Sequence, residues 1–490
     1  MAAATTAYYP PEPKSYHGVR ILEPMYRNVG LSVDQGNFCL VQFTGLALAM
    51  LYFRVTRLFK FSDTQKHLIM LLPGIVLCYF CFGYQTSNLF VLAMLCYITL
   101  CACDPRFVHC AVLGISMLYL SYLHLIRQIE DYGGYSIDIT GPTMIIVQKV
   151  SSLAFCLHDG RGRLEKDLTP EQKQLRVTRI PTLLEFLSYV FHFPSVMCGP
   201  LVYFKNYLEF IDGTNFSKHI ESPEAEKRPA HPGFAVIRKL SVSFFFAIMI
   251  VTYAPKFPIT KLYDDKFLAD SSFIMVIAYM LAATASARFK YYFAWNFGEA
   301  CCNAAGLGFN GFNSKNESKW DLLDAVDILR FEFSRNLREA LEAWNKTTQC
   351  WLRRSAYERS PKYRMLATYV LSAMWHGFYP GYYLTFLSGA LFTQGARTAR
   401  RCLRHHFQST QWLSFVYDIL TCLFTRIMMA YLVFPFVVLT LADSWKIYCR
   451  TYFFGHLIVL FGIIVLPLIV RPLKTERNAV ENGNKKSKSN

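Results

Sequence analysis

Acidic charge is scarce in this chain: 34 Asp and Glu stand against 51 Lys and Arg, and charged residues of both signs make up only 17% of its 490 residues. The excess of +17 is not gathered into a nucleic-acid-binding patch. Signatures of soluble catalysis are missing too. There is no Gly-x-Ser-x-Gly elbow, no Walker loop and no His-Glu-x-x-His, and none of the twelve histidines is followed by Asp at the fifth position. These absences speak against serine-hydrolase, nucleotide and zinc chemistry, and against the His-x4-Asp acyltransferase box. The fifteen cysteines have no metal or disulfide spacing; Cys301-Cys302 is adjacent, and Cys78, Cys81, Cys96, Cys101, Cys103 and Cys110 lie in apolar runs, where Cys behaves as a small hydrophobe. No metal and no tightly bound cofactor is expected. A signal peptide, a myristoylation glycine and a prenylation box are also lacking, so membrane attachment is expected through spans. Internal repeats are not evident.

What is abundant is hydrophobicity, at 53%, with many Phe and Tyr. A spanning helix needs roughly 20 apolar residues. Candidate spans are Phe38–Val55, Leu68–Tyr84, Leu89–Ala102, Phe107–Ile126, Met144–Leu157, Leu183–Phe204, Leu240–Ala254, Phe273–Ala287, Met365–Phe392, Leu413–Ala442 and Phe453–Val470. The expected fold is therefore an all-α polytopic membrane protein of about eleven crossings. It divides into a polar N-terminal segment (1–35), a membrane-embedded domain (36–470) and a basic tail (471–490). Basic residues cluster beside the spans, at Arg54–Lys66, Arg353–Arg364, Arg397–Arg404 and after Arg471, which is the positive-inside pattern. With a charge-balanced N-terminal stretch, this puts the C-terminus in the cytosol and calls for an odd number of crossings. Lys486 and Lys488 resemble a dilysine retrieval signal, so the endoplasmic reticulum membrane is the expected location.

Met365–Phe392 contains no Asp, Glu, Lys or Arg, yet His376 sits within it. An ionisable group at membrane depth is costly and usually faces a cavity or a substrate path. Pro380-Gly381 interrupts the same run, and both flanks are basic, so a broken helix with His376 one turn before the break is expected. Upstream, Leu322, Val326, Leu329, Phe333, Leu337, Leu341 and Trp344 recur at helical steps with charges between them, which predicts an amphipathic or re-entrant helix leading to Asn345. Gly306-Leu307-Gly308-Phe309 and Trp320-Asp321 form a Gly–aromatic segment before it. Glu185 and His192, seven residues apart, are expected to pair within one span. Asn215-Phe216-Ser217 is a glycosylation acceptor if lumenal, whereas Asn316 and Asn345, beside a basic loop, are expected to stay unmodified.

Four ordered motifs, Gly306-Leu307-Gly308-Phe309, Trp320-Asp321, Trp344-Asn345-x-x-Thr348-x-x-Trp351 and Trp375-His376-Gly377-x-x-x-Gly381-Tyr382-x-x-x-Phe386, resemble those of the membrane-bound O-acyltransferases. The similarity, from about Leu31 to Pro467, is to the lysophospholipid branch that acylates lysophosphatidylethanolamine and lysophosphatidylserine. The resemblance implies transfer of an acyl group from acyl-CoA, as co-substrate, to the free hydroxyl of a lysophospholipid. It also implies His376 and Asn345 as the catalytic pair. A neutral imidazole can take the attacking hydroxyl's proton. Asn345 would either donate to the thioester carbonyl or hold the acceptor head group. Trp344, Trp375, Asn303 and Tyr382 are candidate substrate contacts, and Arg353 and Arg354 candidates for the CoA phosphates. The partners implied are the bilayer, acyl-CoA and lysophospholipid. The alternatives are a protein or peptide O-acyltransferase and a transporter; a transporter should show paired broken helices in inverted halves, and one break is evident.

Overall fold

The structure, a computed structural model, describes residues 16–134, 136–219 and 230–471. The tail lysines Lys486 and Lys488 lie outside the described residues. Among the described residues the elements are helices, with one isolated antiparallel bridge between Phe312 and Ser318. They form two compact units. One comprises the described residues of Met1–Pro255, Arg288–Asp327 and Asn345–Tyr379; the other those of Lys256–Ala287, Ile328–Trp344 and Pro380–Asn490.

The first unit contains α1 (Val33–Leu58), α2 (Asp63–Phe82), α3 (Thr86–Ala102), α4 (Val108–Glu130), α5 (Thr140–Leu157), α6 (Leu183–Phe191), α7 (Gly233–Thr252), the part of α8 (Phe273–Ala305) from Arg288 onward, α9 (Lys346–Leu352) and α10 (Arg364–His376). Starts are set by side-chain caps: Ser62 with Gln65 and Thr182 with Glu185 each form a reciprocal box that satisfies two backbone donors. The centre is α5, buried on every side from Ile146 to Leu157. A helix buried all round needs partners for whatever polar groups it carries. Lys149 donates to Val190 O at 3.0 Å and meets the His192 ring, which contacts Tyr189 O and Ser195 Oγ at 2.7 and 2.6 Å.

That cluster explains why the span expected at Leu183–Phe204 is instead a nine-residue helix. His192 leaves the helix to join α5, and Pro194 and Pro200 follow. The chain then packs against α2, where Pro73 opens the ladder, Phe193 N donates to Met70 O at 3.2 Å, and Gly74 leaves room for Phe191 O. Glu185 does not pair with His192; it binds Arg179 at the other end of α6.

The second unit is built on α11 (Pro380–Leu403), α12 (Gln411–Val438), α13 (Leu441–Arg450) and α14 (Phe454–Ile464). Gly381 lets the start of α11 meet the end of α12, with Gly381 N donating to Leu439 O at 2.8 Å; a Cβ there would fall 2.0 Å from Pro435 O.

Among the described residues 7 helical segments are long and apolar enough to cross a bilayer, or 8 with the pair Leu441–Arg450 and Phe454–Ile469, bent by 72°. The chain is therefore a multi-span helical membrane protein. The spans expected at Leu68–Tyr84 and Leu89–Ala102 fall in one 40-residue apolar segment. Met365–Phe392 is split, as its Pro-Gly break suggests, into α10 and α11. The amphipathic helix expected over Leu322–Trp344 is not continuous. Helices form only at Ile328–Glu332 and Leu337–Ala343, because Asn336 caps a fresh start through Glu339 N and Ser334 binds Arg426. Leu329 and Phe333 are left exposed.

Candidate active site

His376 is the last residue of α10. Gly377, at φ +117°, ends the helix in a conformation that favours glycine, and its N–H closes the turn onto Ala373 O and Met374 O. Trp375, buried beside His376, fixes the helix end: its indole donates to Met144 O of α5 at 3.0 Å, and its ring lies 4.7 Å from the imidazole, edge to face. Two further ties come from α4 and the turn after it. His124 Nε2 lies 3.1 Å from Trp375 O, and Gly133 N donates to Tyr379 Oη at 3.0 Å.

Asn345 occupies the left-handed region (φ +43°, ψ +56°), where asparagine is tolerated better than most residues, and caps α9. Its Oδ1 accepts from Thr348 N at 3.4 Å. Because a backbone N–H can only donate, this contact identifies the carbonyl oxygen and leaves the two Nδ2 hydrogens pointing away from the cap. The next residue is anchored by Lys346 N to Ala325 O at 2.6 Å. Ala325 N in turn donates to Glu299 Oε1 at 2.8 Å, and Glu299 is paired with Lys239, which also holds Asp324 at 2.8 Å.

The two motif segments meet α5 on one face. Met144, Gln148 and Ser151 follow each other at steps of four and three, the spacing of helix neighbours. Met144 O receives the Trp375 indole, Gln148 Nε2 donates to Thr348 Oγ1 at 2.9 Å, and Ser151 Oγ receives the Trp351 indole at 2.9 Å. Trp351 and Trp375 pack against each other with ring centroids 5.7 Å apart. The Asn345 helix and the His376 helix are thus held by the same strip of one buried helix.

The remaining candidates have other surroundings. Asn303, buried, donates to Trp320 O at 3.2 Å and fills the space beside Gly308, tying the two upstream motifs together. Trp320 packs in a cluster with Phe53, Phe216 and Phe309, meeting the last two edge to face. Arg353 is half-exposed and bound to Glu171 and Glu358; Arg354 is buried over Tyr203 near Asp159 and Glu171. Trp344 and Tyr382 belong to the second unit, where Trp344 packs on Phe331 and Tyr382 on Phe436. Asn215 is buried with its Nδ2 donating to Gly306 O at 3.1 Å, so the atom a glycan would occupy is taken up in the fold. A cavity of about 520 Å³ is lined by residues that include Glu171, Tyr203, Asp321, Asp324, Lys346 and Thr347.

His124, Lys239 and Glu299 escaped the sequence reading. The signal that singles out His376, an ionisable residue in an apolar run, applies to His124 as well. Lys239 and Glu299 were missed because spans drawn to avoid charge stop at Leu240 and Ala287, whereas α7 and α8 run through them.

Residues 125–434 match the membrane-bound O-acyltransferase family. The chain is 44% identical to lysophospholipid acyltransferase 6 of Drosophila melanogaster over 96% of its own length and 66% of that protein's. It is 37% identical to membrane-bound glycerophospholipid O-acyltransferase 1 of Mus musculus, covering 98% of this chain and 99% of the mouse protein. Identity to membrane-bound glycerophospholipid O-acyltransferase 2 of Homo sapiens is 35%, over 95% and 90% of the two chains. A multi-span helical chain carrying these motifs and matched along almost its full length is an acyltransferase, and it belongs to the membrane-bound O-acyltransferase family.

Proposed function

We propose that this protein transfers a fatty acyl group from acyl-CoA to the free hydroxyl of a lysophospholipid, with lysophosphatidylethanolamine or lysophosphatidylserine as acceptor. The observation that carries the reading is the common seating of the Asn345 and His376 helices on Met144, Gln148 and Ser151 of α5. His376 acts as general base. It takes the hydroxyl proton as the acceptor oxygen attacks the thioester carbonyl, then returns that proton to the departing CoA sulfur. The Asn345 Nδ2 hydrogens, directed away from the cap, donate to the carbonyl oxygen as it gains negative charge. The new ester bond forms as the C–S bond breaks, and no acyl-enzyme is required. Trp375 orients the base, and Asn303 supports the wall formed by the Gly–aromatic segment. Arg353, whose guanidinium reaches solvent, contacts the donor phosphates by exchanging a carboxylate partner.

The chain works in the endoplasmic reticulum membrane with an odd number of crossings and a cytosolic C-terminus. The flanking Lys and Arg clusters support this orientation. An antibody to a tag after Asn490 should reach it when only the plasma membrane is permeabilised, and a tag before Met1 should stay hidden. The function is tested with purified full-length protein in a matrix of acyl-CoA and lysophospholipid species. CoA release dependent on an ethanolamine or serine lysophospholipid supports the assignment. Release driven instead by a peptide acceptor, or no acceptor-dependent release at all, refutes it.

A further inference from the structure

A helix leaves its last carbonyls without intrahelical partners, and at α10 these are the carbonyls around His376 itself. Gly377 N serves Ala373 O and Met374 O. Trp375 O is met instead by a side chain from 251 residues earlier: His124 Nε2, at 3.1 Å, from the buried face of α4. A carbonyl oxygen only accepts, so His124 carries its proton on Nε2, and the opposite edge of its ring faces Gly377. A Cβ on Gly377 would meet that ring at 3.2 Å, a tight contact that adds to the strain already set by the positive φ. Nine residues beyond His124, Gly133 N donates to Tyr379 Oη, and Tyr132 packs against the Tyr379 ring with centroids 5.2 Å apart. The chain around the break is therefore gripped on both sides of His376, at Trp375 and at Tyr379, by α4 and the turn that follows it.

We infer that His124 is a positioning residue for acyl transfer. By capping Trp375 O it fixes where α10 ends, and so the direction in which the His376 ring leaves the helix. The inference rests on the reading of His376 as the base. Displacing a catalytic group by about 1 Å can cost on the order of 10²-fold in rate, and the cap acts at that scale.

The test uses full-length purified protein and three substitutions at one position. In His124→Gln the side-chain amide N–H reaches about as far as Nε2 and restores the donor. His124→Asn ends about where Nδ1 lies and cannot reach Trp375 O. His124→Leu has no donor. The expected result is near-wild-type kcat for His124→Gln, and a roughly 10- to 100-fold lower kcat for Asn and Leu. The KM for acyl-CoA should be within twofold of wild type and the melting temperature little changed. Equal losses for Gln and Asn, wild-type kcat for Leu, or losses that track the fraction of folded protein would each overturn the inference. If position 124 tolerates no substitution, Tyr379→Phe decides, because it releases the second grip without touching the buried imidazole: lowered kcat at unchanged KM upholds the grip, and wild-type kcat rejects it. His376→Ala is assayed alongside. Should that variant stay active, the reading of the base fails, whereas a dead His376→Ala beside a fully active His124→Leu removes only the role of His124.

Discussion

Asn345 separates chemistry from architecture, because the cap it forms and the role proposed for it use two different atoms of one side chain. Oδ1 caps α9 through Thr348 N, and the backbone sits in the left-handed region. Asn345→Ala loses both advantages. Removal of an N-cap costs about 1 kcal/mol, and holding a residue with Cβ in the left-handed region costs roughly 1–2 kcal/mol, so a destabilisation of about 2–3 kcal/mol is expected and any fall in activity is ambiguous. Asn345→Asp is free of that ambiguity. Aspartate caps as well as asparagine and visits the same backbone region, so stability should stay within about 0.5 kcal/mol of wild type. What it lacks is the pair of Nδ2 hydrogens, and it puts a negative charge where the tetrahedral oxygen becomes negative. If those hydrogens stabilise that oxygen, kcat should fall by roughly 10²–10³-fold, or about 2.7–4 kcal/mol, at nearly constant acyl-CoA KM. Asn345→Gly is the counterpart: it relieves the backbone cost, loses the cap, and should be as inactive as Asp. Thermal unfolding followed by tryptophan fluorescence and steady-state kinetics on the same preparations give both axes. An Asp variant with activity close to wild type, or one altered only in KM, refutes the oxyanion role and leaves Asn345 as a capping residue.

His376→Ala should lose roughly 10²–10⁴-fold in kcat, the range for a missing general base, with unchanged expression and melting temperature. Gly377→Ala should retain its fold but lose activity without a change in KM, since a residue forced to φ +117° costs on the order of 1–3 kcal/mol and presses on His124; wild-type kcat in that variant would show that the break need not be held. Lys239→Met strands Glu299 as an unpaired buried carboxylate and should destabilise by about 3–5 kcal/mol. Lys239→Met combined with Glu299→Gln keeps the acceptor for Ala325 N and should recover much of that loss. A double variant no more stable than the single one would contradict the pairing seen here.

Composition was enough to read a many-spanning helical protein, and motif order singled out His376 and Asn345 as the residues proposed for its chemistry. Burial in lipid demands long apolar runs, and a charge-free run with one imidazole and a Pro-Gly break stands out against them. The break between α10 and α11 was legible for that local reason. Local signals failed where a distant partner decides the outcome. The helix at Leu183 stops at Phe191, where Val190 O receives Lys149 of α5 and His192 turns to Tyr189 O and Ser195, and no periodicity in 183–204 encodes that lysine. The amphipathic stripe before Asn345 splits because Ser334 is engaged by Arg426 and Asn336 finds a cap partner. The helical spacing of Met144, Gln148 and Ser151 is visible in the sequence, but that this strip receives Trp375, Thr348 and Trp351 follows only from packing. The sequence by itself therefore determined the solvent this chain folds in and the family motifs from which its reacting groups are proposed. The tertiary structure decided which buried donor meets which buried acceptor, because in an interior without water each such group must find its partner within the protein, however far along the chain that partner lies.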